Sequence, residues 1–154
     1  MTVVVEVEIE DDGWSRDVAD VEDRVSRAVT AALGEQAGSV VVLLADDATV
    51  RDLNARFRDK DQPTNVLSFP AAPIDLPGHM PPLGDLVLAH GVCAAEAGDQ
   101  GKSLADHLSH LVVHGTLHLL GQDHMDDAEA EAMEANEVAI LAGLGVADPY
   151  RTMP

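Results

Sequence analysis

The chain opens on alternation: Val5, Val7 and Ile9 are apolar against Glu6 and Glu8. A period of two predicts a strand over residues 3–9 with one buried face. From Ser15 to Leu33 the interval changes, and Val18, Val21, Val25, Ala28, Val29 and Ala32 recur at helical spacing. One amphipathic helix is expected there, left through Gly34 and Gly38. Val40 to Ala45 is apolar throughout, which marks a central strand covered on both faces. Asp46 or Asp47 then caps a helix through Phe57 with Val50, Leu53 and Phe57 on one side. After a polar turn, Val66 to Pro70 reads as a short strand closed by its proline.

Pro73, Pro77, Gly78, Pro81 and Pro82 make residues 71–82 an irregular surface loop. Leu83 to Ala89 returns to strand, and His90 to Gly98 forms a short helix in which Cys93 fills core. Ser103 with Asp106 caps a helix over Leu104 to Leu120. At ~100° per residue, His107, His110, His114 and His118 share one narrow stripe of it. Apolar residues occupy most of the remainder, so this helix is expected to be buried nearly all round. Gly121 ends it, because glycine accepts the left-handed conformation at low cost. Asp126 or Asp127 starts a last helix, with Ala130, Met133, Ile140, Leu141 and Leu144 on the core and Gly145 as its stop. Glu137 falls inside that apolar face and requires a buried partner. Elements mixed in this order predict an α+β fold: one domain over residues 1–154, a small mixed β-sheet covered by helices.

Composition narrows the class. A chain that is 46% hydrophobic can build a core without disulfides, and its lone Cys93 excludes an internal disulfide or a multi-thiolate zinc site. No run of ~18 uncharged apolar residues occurs, so no membrane span is expected. The strand-like N-terminus has no basic leader, which points to the cytoplasm. The net charge of -19 argues against free, tight binding to nucleic acid, since phosphate contacts need lysine and arginine. Yet Arg51, Arg56, Arg58 and Lys60 stand together, while the acids crowd the two ends. One local positive lip on an acidic body is the expected result, and that body suits a basic protein partner.

The chemistry concentrates in His114-Gly115-Thr116-Leu117-His118-Leu119-Leu120-Gly121-Gln122-Asp123-His124. His114 and His118 project from consecutive turns of one helix and can converge on one ion. Gly121 lets the chain reverse, which can return His124 to the same ion. Three nitrogens leave a fourth position open, the mark of a catalytic zinc. His110 competes as third ligand, but it stands roughly 12 Å of helix from His118. His110 and His107 are therefore read as supporting or packing residues. All-nitrogen ligation suits zinc, with other first-row divalent metals possible. The spacing matches H-E-x-x-H-x-x-G-x-x-H of the metzincin proteases except that Gly115 replaces the glutamate base. Peptide hydrolysis by that scheme needs the carboxylate. A metal-dependent peptidase thus ranks as an alternative, as does a ribosome-associated factor with a structural metal closed by His110 or Asp123.

The histidine string, with Thr64-Asn65-Val66-Leu67-Ser68-Phe69-Pro70, Leu53-Asn54, Arg58, Leu83-Gly84-Asp85 and Met133-Glu134, resembles the bacterial YbeY family of single-strand-specific endoribonucleases and rRNA maturation factors. The resemblance implies a zincin-like metal helix, zinc on His114, His118 and His124, and action on the 3′ end of 16S rRNA and in ribosome quality control. It matches the family arginine to Arg58 and the strand serine to Ser68; Gln122 departs from a common tyrosine. The implied partners are single-stranded or ribosomal RNA and the small ribosomal subunit or a basic ribosomal protein, in the cytoplasm. On this reading Arg58 stabilises charge on the nonbridging phosphoryl oxygens. Ser68, Lys60 and Arg56 contact substrate. Asp85, His110 and Asp123 are candidates to support the metal ligands.

Overall fold

The structure is a computed structural model that describes residues 3–72, 80–122 and 126–150. Strands β1 (Val3–Ile9), β2 (Gly38–Ala45), β3 (Val66–Pro70) and β4 (Pro82–Ala89) form one sheet in the order β1-β2-β4-β3. The first two pairings are parallel and the last is antiparallel, so the sheet is mixed, as expected. β3 is an edge strand. Its register on β4, with Ser68 opposite Leu86, fixes which of its side chains reach the metal helix.

The helices are α1 (Gly13–Asp17), α2 (Val21–Leu33), α3 (Asp47–Arg58), α4 (His90–Asp99), α5 (Leu104–Leu119) and α6 (Asp127–Gly143). The single helix expected over residues 15–33 is in fact two. Asp20 adopts φ 51°, a left-handed conformation that no helix interior tolerates, and the buried Trp14 ties α1 to β2 by donating from Nε1 to the Ala45 carbonyl at 3.0 Å.

Alternation in the sheet sorts the core. Val40, Val42, Leu44, Leu86 and Leu88 pack with α2, α5 and α6, whereas Val87, Leu67 and Val50 build a smaller cluster beneath α3. β2 is central, but its burial alternates between full and partial, so the all-apolar run does not mean equal cover on both faces. The expected caps form: Asp46 accepts from the Thr49 amide at 2.8 Å, and Ser103 accepts from the Asp106 amide at 3.0 Å. Cys93 is fully buried in α4, and burial pushes its thiol pKa up, which suits core filling. Among the described residues no helix is long and apolar enough to cross a membrane.

α5 lies against the sheet at Gly115. A Cβ there would stand 2.8 Å from Leu86 Cδ2 and 3.3 Å from Ser68 Oγ. Glycine therefore lets the helix backbone approach β3 and β4 closely, which sets the histidine stripe beside the edge strand. Gly121 follows the helix with φ 92°, the turn expected from the sequence.

Candidate metal centre

The stripe on α5 divides by environment. His107 is almost fully buried, while His110, His114 and His118 are partly exposed at the floor of a cleft of about 640 Å³. His114 and His118 turn their Nε2 atoms toward each other, 3.0 Å apart. On the other side of its ring, His114 Nδ1 meets Glu137 Oε1. Glu137 has no solvent exposure, and its second oxygen accepts from the Tyr150 hydroxyl.

Burial opposes ionisation of Glu137, but hydrogen bonds from His110, His114 and Tyr150 outweigh it and bring the carboxyl pKa down to about 2. An ionised acceptor requires that His114 donate through Nδ1, and this places the ring's remaining lone pair on Nε2. Burial, then the adjoining carboxylate, pushes the Tyr150 hydroxyl pKa up, so it remains a donor. His110 Nε2 lies 3.2 Å from that hydroxyl and 3.9 Å from Glu137 Oε2. His107 instead bonds Glu96 at 2.9 Å, and burial lowers its pKa.

His110, His114 and Glu137 form a cluster whose ligand atoms all lie within 4.8 Å of one another, and such a cluster can hold a divalent ion. The donor chemistry therefore fits zinc.

Glu137 supplies the buried partner its place in the sequence required. Tyr150 had no such forewarning, since its only sequence feature is an aromatic ring after Pro149. His124 and Asp123 lie outside the described residues.

The opposite wall of the cleft is β3. Ser68 Oγ points to the Gly115 carbonyl at 3.5 Å, and Arg58 donates from Nη2 to the Ser68 carbonyl at 2.6 Å. Ser68, Arg58 and Lys60 all line the cleft, as does Gln122, which accepts from Asn136 at 3.2 Å. Arg56 does not line it. Its guanidinium pairs with Asp52 one helical turn back at 3.1 Å, away from the expected substrate contact. Asp61 pairs with Arg51 at 2.8 Å and not with Arg58. Asp85 is exposed and alternates with Gly84 and Leu86, which face α5. Its side chain therefore lies on the opposite sheet face, and orienting a histidine ring falls to Glu137 instead.

Among the described residues lining the cleft there is no aspartate or glutamate, although the chain has 28 of them. Among the described residues, the lysine and arginine side chains on its walls are Arg58 and Lys60. The described lining is thus basic and neutral on an otherwise acidic chain, which suits an anionic substrate.

Fold and site together define a metal-dependent hydrolase with a zincin-like metal helix. The family model for endoribonuclease YbeY matches residues 6–145. An endoribonuclease YbeY of Paramagnetospirillum magneticum is 53% identical over 97% of this chain and 98% of its own length. That of Azorhizobium caulinodans is 53% identical over 95% of each chain. The solution structure of a Thermotoga maritima protein shares the fold, with a TM-score of 0.55 and 22% identity over 97% of this chain and 100% of that one. The chain belongs to the endoribonuclease YbeY family and is a metal-dependent endoribonuclease acting in rRNA maturation.

Proposed function

We propose that the whole chain acts as one domain that cleaves single-stranded RNA in the cytoplasm, at the 3′ end of 16S rRNA and in ribosome quality control. Zinc is held on the Nε2 side of His114 and His118, with His124 as third ligand. The described lining of the cleft carries this reading: it has Arg58 and Lys60 on its walls and no aspartate or glutamate among its described residues, which suits a phosphodiester better than the zincin peptide scheme. Position 115 supports it as well. The packing that leaves no slack for a Cβ leaves none for a glutamate side chain.

The ion is assigned to the Nε2 side because both Glu137 oxygens and His114 Nδ1 are already engaged. Glu137 is then the outer carboxylate that fixes the ring and raises its basicity. When bound, zinc supplies a Lewis acid that lowers the pKa of water toward neutrality and polarises a phosphoryl oxygen. Arg58, anchored through Nη2 on the Ser68 carbonyl, retains N–H groups for the nonbridging oxygens of the same phosphate. Ser68 and Lys60 guide the flanking backbone.

The small ribosomal subunit, or a basic protein of it, is the docking partner best matched to a net charge of -19. The test is incubation of zinc-loaded protein with single-stranded RNA, duplex RNA and an unstructured peptide. Cleavage of the single strand alone, abolished by His114→Ala, supports the assignment. Peptide cleavage without RNA cleavage overturns it.

A further inference from the structure

Aromatic residues are scarce in this chain: two phenylalanines, one tryptophan and one tyrosine. Trp14 is fully buried, whereas Phe57 is 67% exposed, more than any other large hydrophobic side chain among the described residues. Phe57 shares the apolar side of α3 with Val50 and Leu53. Val50 is buried and Leu53 partly so, whereas the Phe57 ring, in the last turn of α3, is open to solvent.

The ring is nonetheless held. Phe57 meets Phe69 edge to face, with centroids 5.6 Å apart and planes at 71°. The same Phe69 ring carries the Arg58 guanidinium, whose Cζ lies 5.6 Å from its centroid. Arg51 and Arg56 are spent on Asp61 and Asp52, while among the described residues Arg58 has no carboxylate at ion-pair distance. An open aromatic ring at the end of α3 and an arginine without an acidic partner therefore rest on one support, and the arginine, next to Phe57 in the chain, lines the cleft.

We propose that Phe57 is a stacking platform for a nucleobase of the single-stranded substrate, adjacent to the phosphate that Arg58 holds. The inference rests on the proposed RNA substrate and adds to it the group that grips a base. Every nucleobase has a π-face, so the platform is tolerant of sequence. A base committed to a duplex stack is not available to it, so the platform favours unpaired strands. It also answers the charge problem. With Arg58 and Lys60 as the lysine and arginine groups among the described residues of the cleft, few phosphates are neutralised there and stacking carries a large share of affinity.

The test uses short single-stranded RNAs with 2-aminopurine at successive positions, titrated with zinc-loaded wild type, Phe57→Ala, Phe57→Leu and Phe57→Trp. Wild type and Phe57→Trp should quench the probe at one position. Phe57→Ala should lose that quench and bind about five- to a hundredfold more weakly, with Phe57→Leu also impaired. The exposure of the ring means that zinc content should stay at the wild-type value in all variants, and that loss of the Phe69 contact should lower the melting temperature by a few degrees at most. Equal affinity of wild type and Phe57→Ala for an RNA that both bind overturns the platform alone and leaves this surface to a protein partner. Failure of the wild type to bind or cleave any single strand overturns the RNA reading itself.

Discussion

His114 and His118 face each other through Nε2 atoms 3.0 Å apart, while the opposite nitrogen of His114 is turned to the buried Glu137. On the proposed assignment, these two imidazoles aimed at one point, one of them braced from behind, form part of the zinc ligand set. His114→Ala or His118→Ala should therefore abolish stoichiometric zinc binding and reduce RNA cleavage at least a hundredfold. Metal analysis of dialysed protein beside a cleavage assay checks this.

Glu137→Gln keeps the shape of the brace and removes its charge. Loss of such an outer carboxylate typically costs 10–100-fold in metal affinity, and a drop of about that size is expected in chelator competition. Tyr150→Phe removes only the donor to the far oxygen, so its effect should be smaller and in the same direction.

The same carboxyl gives a pH prediction. Its folded-state pKa, about 2, lies below its ordinary 4.5, so its contribution to stability is full above about pH 4.5 and is lost as pH falls through about 2. Chemical unfolding of the metal-free protein should show that acid limb, and Glu137→Gln should flatten it. An unchanged acid limb in the variant would contradict the assignment.

Gly115→Glu restores the residue that the zincin pattern carries at this place, yet it should create no peptidase. The added Cβ meets Leu86 at 2.8 Å, and overpacking of this kind costs about 1–3 kcal/mol. A melting temperature lowered by several degrees, without peptide hydrolysis, is the expected result.

Arg58→Lys retains the charge and loses the planar fork. RNA cleavage should fall about a hundredfold at saturating substrate, with zinc content and unfolding unchanged. A loss confined to KM would instead make Arg58 a substrate tether.

The short-range features of the sequence were legible. Alternation placed β1, the Asp46 and Ser103 caps placed α3 and α5, and i,i+4 spacing put His114 and His118 side by side. Contacts between distant segments were not. That Glu137 lies behind His114 depends on how α6 crosses α5, and that Tyr150 reaches Glu137 and His110 depends on the chain returning after α6. Asp85 shows the reverse failure: its place after a glycine looked suited to support a ligand, but strand alternation turned it to the other sheet face. The break between α1 and α2 was hidden because Asp20 in the left-handed region interrupts a valine period that continues across it.

The most direct test of the central claim is a zinc-loaded crystal structure with anomalous data collected at the zinc edge. The ion is expected on the Nε2 side of His114 and His118, with His124 as the third protein ligand and a fourth position open to solvent. A peak seated instead between His110 and Glu137, with the Nε2 atoms of His114 and His118 unligated, would contradict the account.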